Sequence, residues 1–121
     1  MSVFLRNIGS MTVLGAALSG CTTSPVELMR TTPDLVHTSE KSPQLVARCI
    51  DSKWEDDRVL WGSNYVDTKQ VDTGIRVTQR FGGDLHFVAL VAEHGKGSQT
   101  QLWTYKTIGR LKQVDDIKRC Q

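Results

Sequence analysis

From Tyr65 to Ile108 apolar and polar side chains tend to alternate, and three short glycine-bearing breaks interrupt the alternation. The strand-like runs are Tyr65 to Gln70, Ile75 to Phe81, Leu85 to Glu93 and Gln99 to Ile108, separated by VDTG, FGGD and HGKGS. A period of two puts successive side chains on opposite faces of a pleated strand. Glycine and aspartate supply the backbone conformations that tight hairpins need. Loops this short cannot carry a parallel crossover, which takes a dozen residues or more, so the run predicts an antiparallel meander of three or four strands.

A two-residue loop at Gly82 and Gly83 would set Phe81 opposite Asp84, Val77 opposite Val88 and Ile75 opposite Leu90. On that register these residues, continued by Trp103 and Tyr105, form the face that receives the rest of the fold. The other face carries Arg76, Thr78, Arg80, Leu85, Phe87, Val91, Leu102, Thr104 and Lys106. Such a mixture of basic and apolar groups suits a binding partner, with Arg76, Arg80, Phe87 and Lys106 as candidate contacts. The plainer reading is an ordinary half-polar sheet surface, and a slip of one residue exchanges the two faces.

Two amphipathic helices flank the strands. In SPQLVARCIDSKWEDD, Ser42 is placed as N-cap and Pro43 at the first helical position, where its missing N–H does no harm. Leu45, Val46, Cys49, Ile50 and Trp54 then fall on one stripe, with Arg48, Asp51, Ser52 and Glu55 toward water. In GRLKQVDDIKRCQ the residues Leu111, Val114, Ile117 and Cys120 recur every three positions. The predicted class is α+β: a helix, the meander and a C-terminal helix within residues 42–121, both helices on one sheet face.

The N-terminus differs in kind. MSVFLRN holds one cation, Arg6, and IGSMTVLGAALSG holds no charge. A membrane-spanning helix needs about 20 apolar residues, so this shorter, glycine-diluted stretch reads as the apolar region of a signal peptide over residues 1–20. Leu18, Ser19, Gly20 and Cys21 resemble the lipobox of bacterial lipoprotein signal peptides. That resemblance covers the N-terminal fifth of the chain. It implies a diacylglyceryl group on the Cys21 thiol, cleavage between Gly20 and Cys21, and acylation of the new amino terminus. The alternative is an ordinary signal or anchor with a chance cysteine. Thr22, standing where an aspartate would retain such proteins in the inner membrane, implies the periplasmic leaflet of the outer membrane.

An exported compartment permits disulfides. Each predicted helix has a cysteine in its apolar stripe, so two stripes on one sheet face bring Cys49 to Cys120, the alternative being two buried thiols. Cys21 is the odd cysteine that a lipid accounts for. Between anchor and domain, residues 21–41 are rich in Thr, Ser and Pro and read as a tether, which as coil would reach roughly 25 Å. Val26, Leu28, Met29, Leu35 and Val36 are more apolar than a linker needs, leaving docking of part of this stretch as the alternative.

Chemistry is harder to find. GKGS at 95–98 lacks the spacing and strand-to-helix setting of a phosphate loop and reads as a hairpin. His37, His86 and His94 show no metal-ligand spacing, and Glu55, Asp56 and Asp57 read as the solvated end of the first helix. No catalytic constellation, metal site or cofactor is expected. A net charge of +2 with interleaved signs argues against nucleic acid. The sequence thus points to a lipid-anchored, non-enzymatic binding or structural module whose partners are the membrane, through Cys21, and an envelope protein or cell-wall polymer. A small periplasmic enzyme, or an inhibitor of a cell-wall hydrolase, is the alternative.

Overall fold

A computed structural model describes residues 23–57, 63–105 and 111–121. In chain order the elements are α1 (Pro25–Leu28), β1 (Leu35–Ser39), α2 (Pro43–Glu55), β2 (Asn64–Val71), β3 (Gly74–Phe81), β4 (Asp84–His94), β5 (Gly97–Thr104) and α3 (Leu111–Arg119). All strand pairings are antiparallel, and the five strands lie in the order β1-β5-β4-β3-β2. The meander is therefore β2 to β5, and β1 is added beside its last strand.

The added strand extends the fold beyond the expected boundary at Ser42. Residues 24–41 do not act as a free tether: β1 pairs with β5 from Leu35↔Leu102 to Ser39↔Ser98. Ser24 caps α1 through a reciprocal pair of bonds, its Oγ accepting from the Glu27 N–H at 3.1 Å while Glu27 Oε1 accepts from the Ser24 N–H at 3.4 Å. Trp103 Nε1 donates to the Thr31 carbonyl at 2.8 Å, and the Thr104 N–H and hydroxyl both donate to Asp34 Oδ2. Leu28 is only 7% exposed. Burying one such leucine is worth roughly 1.5–3 kcal/mol, which together with the sheet bonds outweighs the polar composition that suggested a linker.

Because β1 and β2 occupy opposite edges, α2 must cross the sheet between them. Its 13 residues make about 20 Å of helix, close to the ~19 Å covered by four strand spacings. It packs on β2, β3, β4 and β5, burying Val46, Ala47, Ile50 and Trp54. Leu45, placed by the sequence on the same stripe, is instead 54% exposed; with Pro43 and Val46 on the sheet, its direction points past the sheet toward water. On the same face, Ile117 and Cys120 of α3 join Phe87, Ala89, Val91 and Leu102 in the main core. Cys49 and Cys120 are bonded, with an S–S distance of 2.03 Å and a Cα–Cα distance of 5.6 Å.

The sheet faces differ from expectation in one strand pair. Gly82 and Gly83 form the expected two-residue loop with φ of 59° and 88°, pairing Phe81 with Asp84 and Arg80 with Leu85. A bulge follows at once, so Gln79 faces Phe87, and Val77 faces Ala89 rather than Val88. Every side chain of β4 beyond His86 thereby changes face. Phe87, Val91 and Leu102 lie under the helices, and Val88, Leu90 and Trp103 lie on the far side with Leu28.

Candidate functional site

The far side, the outer face, is assembled from rows of directly paired residues. One row runs Val36, Gln101, Leu90, Arg76, Lys69 across all five strands; the next runs Trp103, Val88, Thr78, Asp67; a third joins Leu85, Arg80 and Tyr65. Leu28 and Met29 pack over the β4–β5 part of this face with Leu85, Val88, Leu90 and Trp103, and Val71 and Tyr105 border the cluster. The β2–β3 part remains basic. Beside α1 lies an open groove of about 490 Å³ lined by Val26, Met29, Arg30, Leu90, Ala92 and Trp103, among others.

Arg76 and Arg80 both stand on this face, half-buried, and neither forms an ion pair with an acid among the described residues. The Nε of Arg76 is shielded from water and has no hydrogen-bond acceptor. Lys69 is directly opposite Arg76, and like charges so placed destabilise a sheet. Asp67, diagonal to both arginines, is the acid of this region. Tyr65, opposite Arg80, is 57% exposed. The arrangement offers guanidinium and ammonium donors beside the exposed ring of Tyr65, a chemistry that suits an anionic ligand.

Of the residues that the sequence suggested for a partner surface, Arg76 and Arg80 are brought together here. Phe87 is not: it is fully buried on the helical face, 5.9 Å from the ring of Trp54, because the bulge reverses the alternation. Lys106, Gly20 and Cys21 lie outside the described residues. Sequence reasoning missed Lys69, and although it offered Tyr65 as part of a semi-exposed aromatic patch with Trp61, the place of both Lys69 and Tyr65 beside the arginines depends on the β2–β3 register. The pairing was legible in principle from the two-residue Asp72–Thr73 turn, which sets Val71 opposite Gly74.

A second polar cluster sits where α2 ends. Gln79 Nε2 donates to Asp57 Oδ2 at 2.8 Å, to Asn64 Oδ1 at 3.0 Å and to the Trp54 carbonyl at 3.1 Å. Gln113 Nε2 donates to Asp57 Oδ2 and, at 3.1 Å, to Gln79 Oε1. Lys112 Nζ lies 2.8 Å from Asp57 Oδ1 and 2.7 Å from Asp116 Oδ2 and donates to the Lys53 carbonyl. Partial burial opposes the Lys112 charge, but hydrogen bonds to Asp116 and Asp57 and their negative charges prevail, so its pKa rises above 10.5. Asp57 is thus not the solvated helix end expected of it. The cluster ties α2, β2, β3 and α3 together and takes up most of its own hydrogen-bonding capacity; Gln113 Oε1 is left without a donor.

The remaining candidates fall where strands and turns put them. Gly95 and Lys96 form the β4–β5 hairpin loop, with His94 opposite Gly97. A Cβ on Gly97 would meet the Ser39 carbonyl at 1.9 Å, so GKGS answers to backbone packing. His86 sits at the bulge, edge-on to Phe81 at 5.0 Å. Among the described residues no cluster of His, Cys, Asp and Glu is arranged to hold a metal ion, and no helix is long and apolar enough to cross a membrane. No protein-family model, curated protein or solved structure matches the chain.

Proposed function

We propose that this chain is a bacterial lipoprotein, acylated on Cys21 after cleavage at Gly20, held on the periplasmic leaflet of the outer membrane and acting there as a non-enzymatic binding or structural module. The LSGC motif supports the anchor. The binding surface is the outer face, and the observation that carries it is the pair Arg76 and Arg80, without an ion pair to an acid among the described residues, beside exposed Lys69 and Tyr65. A stability cost is accepted there, since Lys69 faces Arg76.

The domain's rigidity fits a module that presents a preformed surface. A disulfide and the Asp57 cluster pin both helices to the opposite face. The test has two arms. Intact mass from a membrane fraction reads the anchor: a chain beginning at Cys21 with acyl chains added supports it, and an unacylated chain rejects it. Envelope partners recovered with the parent and with a variant carrying Arg76→Glu and Arg80→Glu read the surface; an unchanged set rejects it.

A further inference from the structure

The fold begins three residues after Cys21, at the N-cap Ser24. Three peptide units reach at most about 11 Å, less than half the ~25 Å of the coil expected for residues 21–41. That distance is close to the thickness of the headgroup layer, roughly 5–8 Å on each side of the hydrocarbon core. Ser24 opens α1, and α1 lies on the outer face against Val88, Leu90 and Trp103. A lipid on Cys21 therefore holds the outer face, and not the helical one, at the bilayer.

We propose that the outer face is a docking surface for the anionic phospholipid headgroups of the membrane that holds Cys21, an inference that rests on the lipid-anchor reading. Charge supports the orientation. On the outer face and α1, Arg30, Lys69, Arg76 and Arg80 stand against Glu27 and Asp67, whereas on the helical side the six acids of α2, its C-terminal turn and α3 offset the five cations there. Phosphate oxygens supply the anionic partners that the two arginines lack among the described residues. Val26 and Tyr65, 49% and 57% exposed, add an apolar and an amphipathic contact of the kind that settles at a membrane interface.

The experiment uses the lipidated full-length protein in vesicles of phosphatidylcholine with or without phosphatidylglycerol, its acylation verified by intact mass. A fluorophore is placed at Tyr65→Cys on the outer face or at Ser52→Cys on the exposed side of α2, and quenching by headgroup-spin-labelled lipid is measured. The expected result is several-fold stronger quenching at 65 than at 52 in phosphatidylglycerol vesicles, with the difference shrinking in phosphatidylcholine alone. Each basic group near an anionic surface shifts the contact equilibrium roughly fivefold, so combining Arg76→Glu with Arg80→Glu lowers contact by more than about tenfold. Equal quenching at both positions of an acylated protein overturns the docking surface alone. An unacylated mass overturns the anchor and this inference together. Quenching at 65 that ignores lipid charge, or shielding that appears only on adding envelope extract, overturns it in favour of another partner.

Discussion

Gln79 stands directly opposite Phe87 in the β3–β4 ladder, although the Gly82–Gly83 loop two residues away pairs Arg80 with Leu85. The bulge falls at His86, and this one irregularity decides which residues of β4 face the helices. Phe87, Ala89 and Val91 face the helices because of it, while Val88 and Leu90 are delivered to the outer face.

Phe87→Ala should accordingly behave as a core deletion, lowering stability by about 3–5 kcal/mol, whereas Leu45→Ala on the exposed flank of α2 should change it by less than about 1 kcal/mol. Urea unfolding of the two variants checks the assignment. Comparable losses would place both residues differently from the positions described.

The Cys49–Cys120 bond closes a loop with a sequence separation of 71. In the chain-entropy account such a closure stabilises by about 4 kcal/mol. Cys120→Ser should lower the melting temperature relative to the parent, and reduction of the parent should lower it by a similar amount. An unchanged melting temperature would sink the claim.

Asp57 is the acceptor that Gln79, Gln113 and Lys112 share. Asp57→Ala removes the acceptor shared by two amides and one of the two carboxylates that hold Lys112 and is expected to cost about 2–4 kcal/mol, while Asp56→Ala, one residue away and exposed, is expected to be near neutral. Denaturant midpoints of both variants measure the contrast.

The same cluster has an alkaline signature. Lys112 has its pKa raised in the fold above 10.5, so its contribution is fully present below the unfolded value and is lost as pH rises through the folded one. Being half exposed, the lysine contributes less than about 1 kcal/mol. The parent should lose slightly more stability than Lys112→Met above pH 10.5, read as a difference in denaturant midpoints; parallel profiles would remove Lys112 from the account.

Docking of the N-terminal segment is testable by proteolysis. Arg30 lies between buried Leu28 and the Trp103–Thr31 hydrogen bond. Trypsin should cut after Arg30 slowly in the parent and faster in Leu28→Ala, because cleavage needs local opening. Equally rapid cleavage in both would restore a free tether.

Much of the architecture was written in local patterns. Alternation broken by Asp72, Gly82, Gly83 and Gly95 specifies consecutive hairpins whatever else the chain does, since backbone sterics at these positions act over a few residues. The Ser42–Pro43 start of α2 and the matched cysteine stripes are equally local, and their meeting at one sheet face follows once a sheet exists. The LSGC motif is read without a fold at all.

Three matters needed the tertiary structure. Leu28 and Leu35 sit among threonines and prolines in a stretch with no sustained period, and they fold because the meander offers an edge and an apolar face to cover. Asp57, Gln79 and Gln113 come from three separate elements, so their mutual satisfaction is invisible to any window along the chain; a glutamine in phase with Ile75 and Val77 was its one trace. The faces of β4 turned on His86. A bulge adds a single residue without altering composition or turn, and the choice to set Phe87 rather than Val88 under the helices is made by what packs best beneath Trp54 and Val77, a comparison that exists only after the chain has folded back on itself.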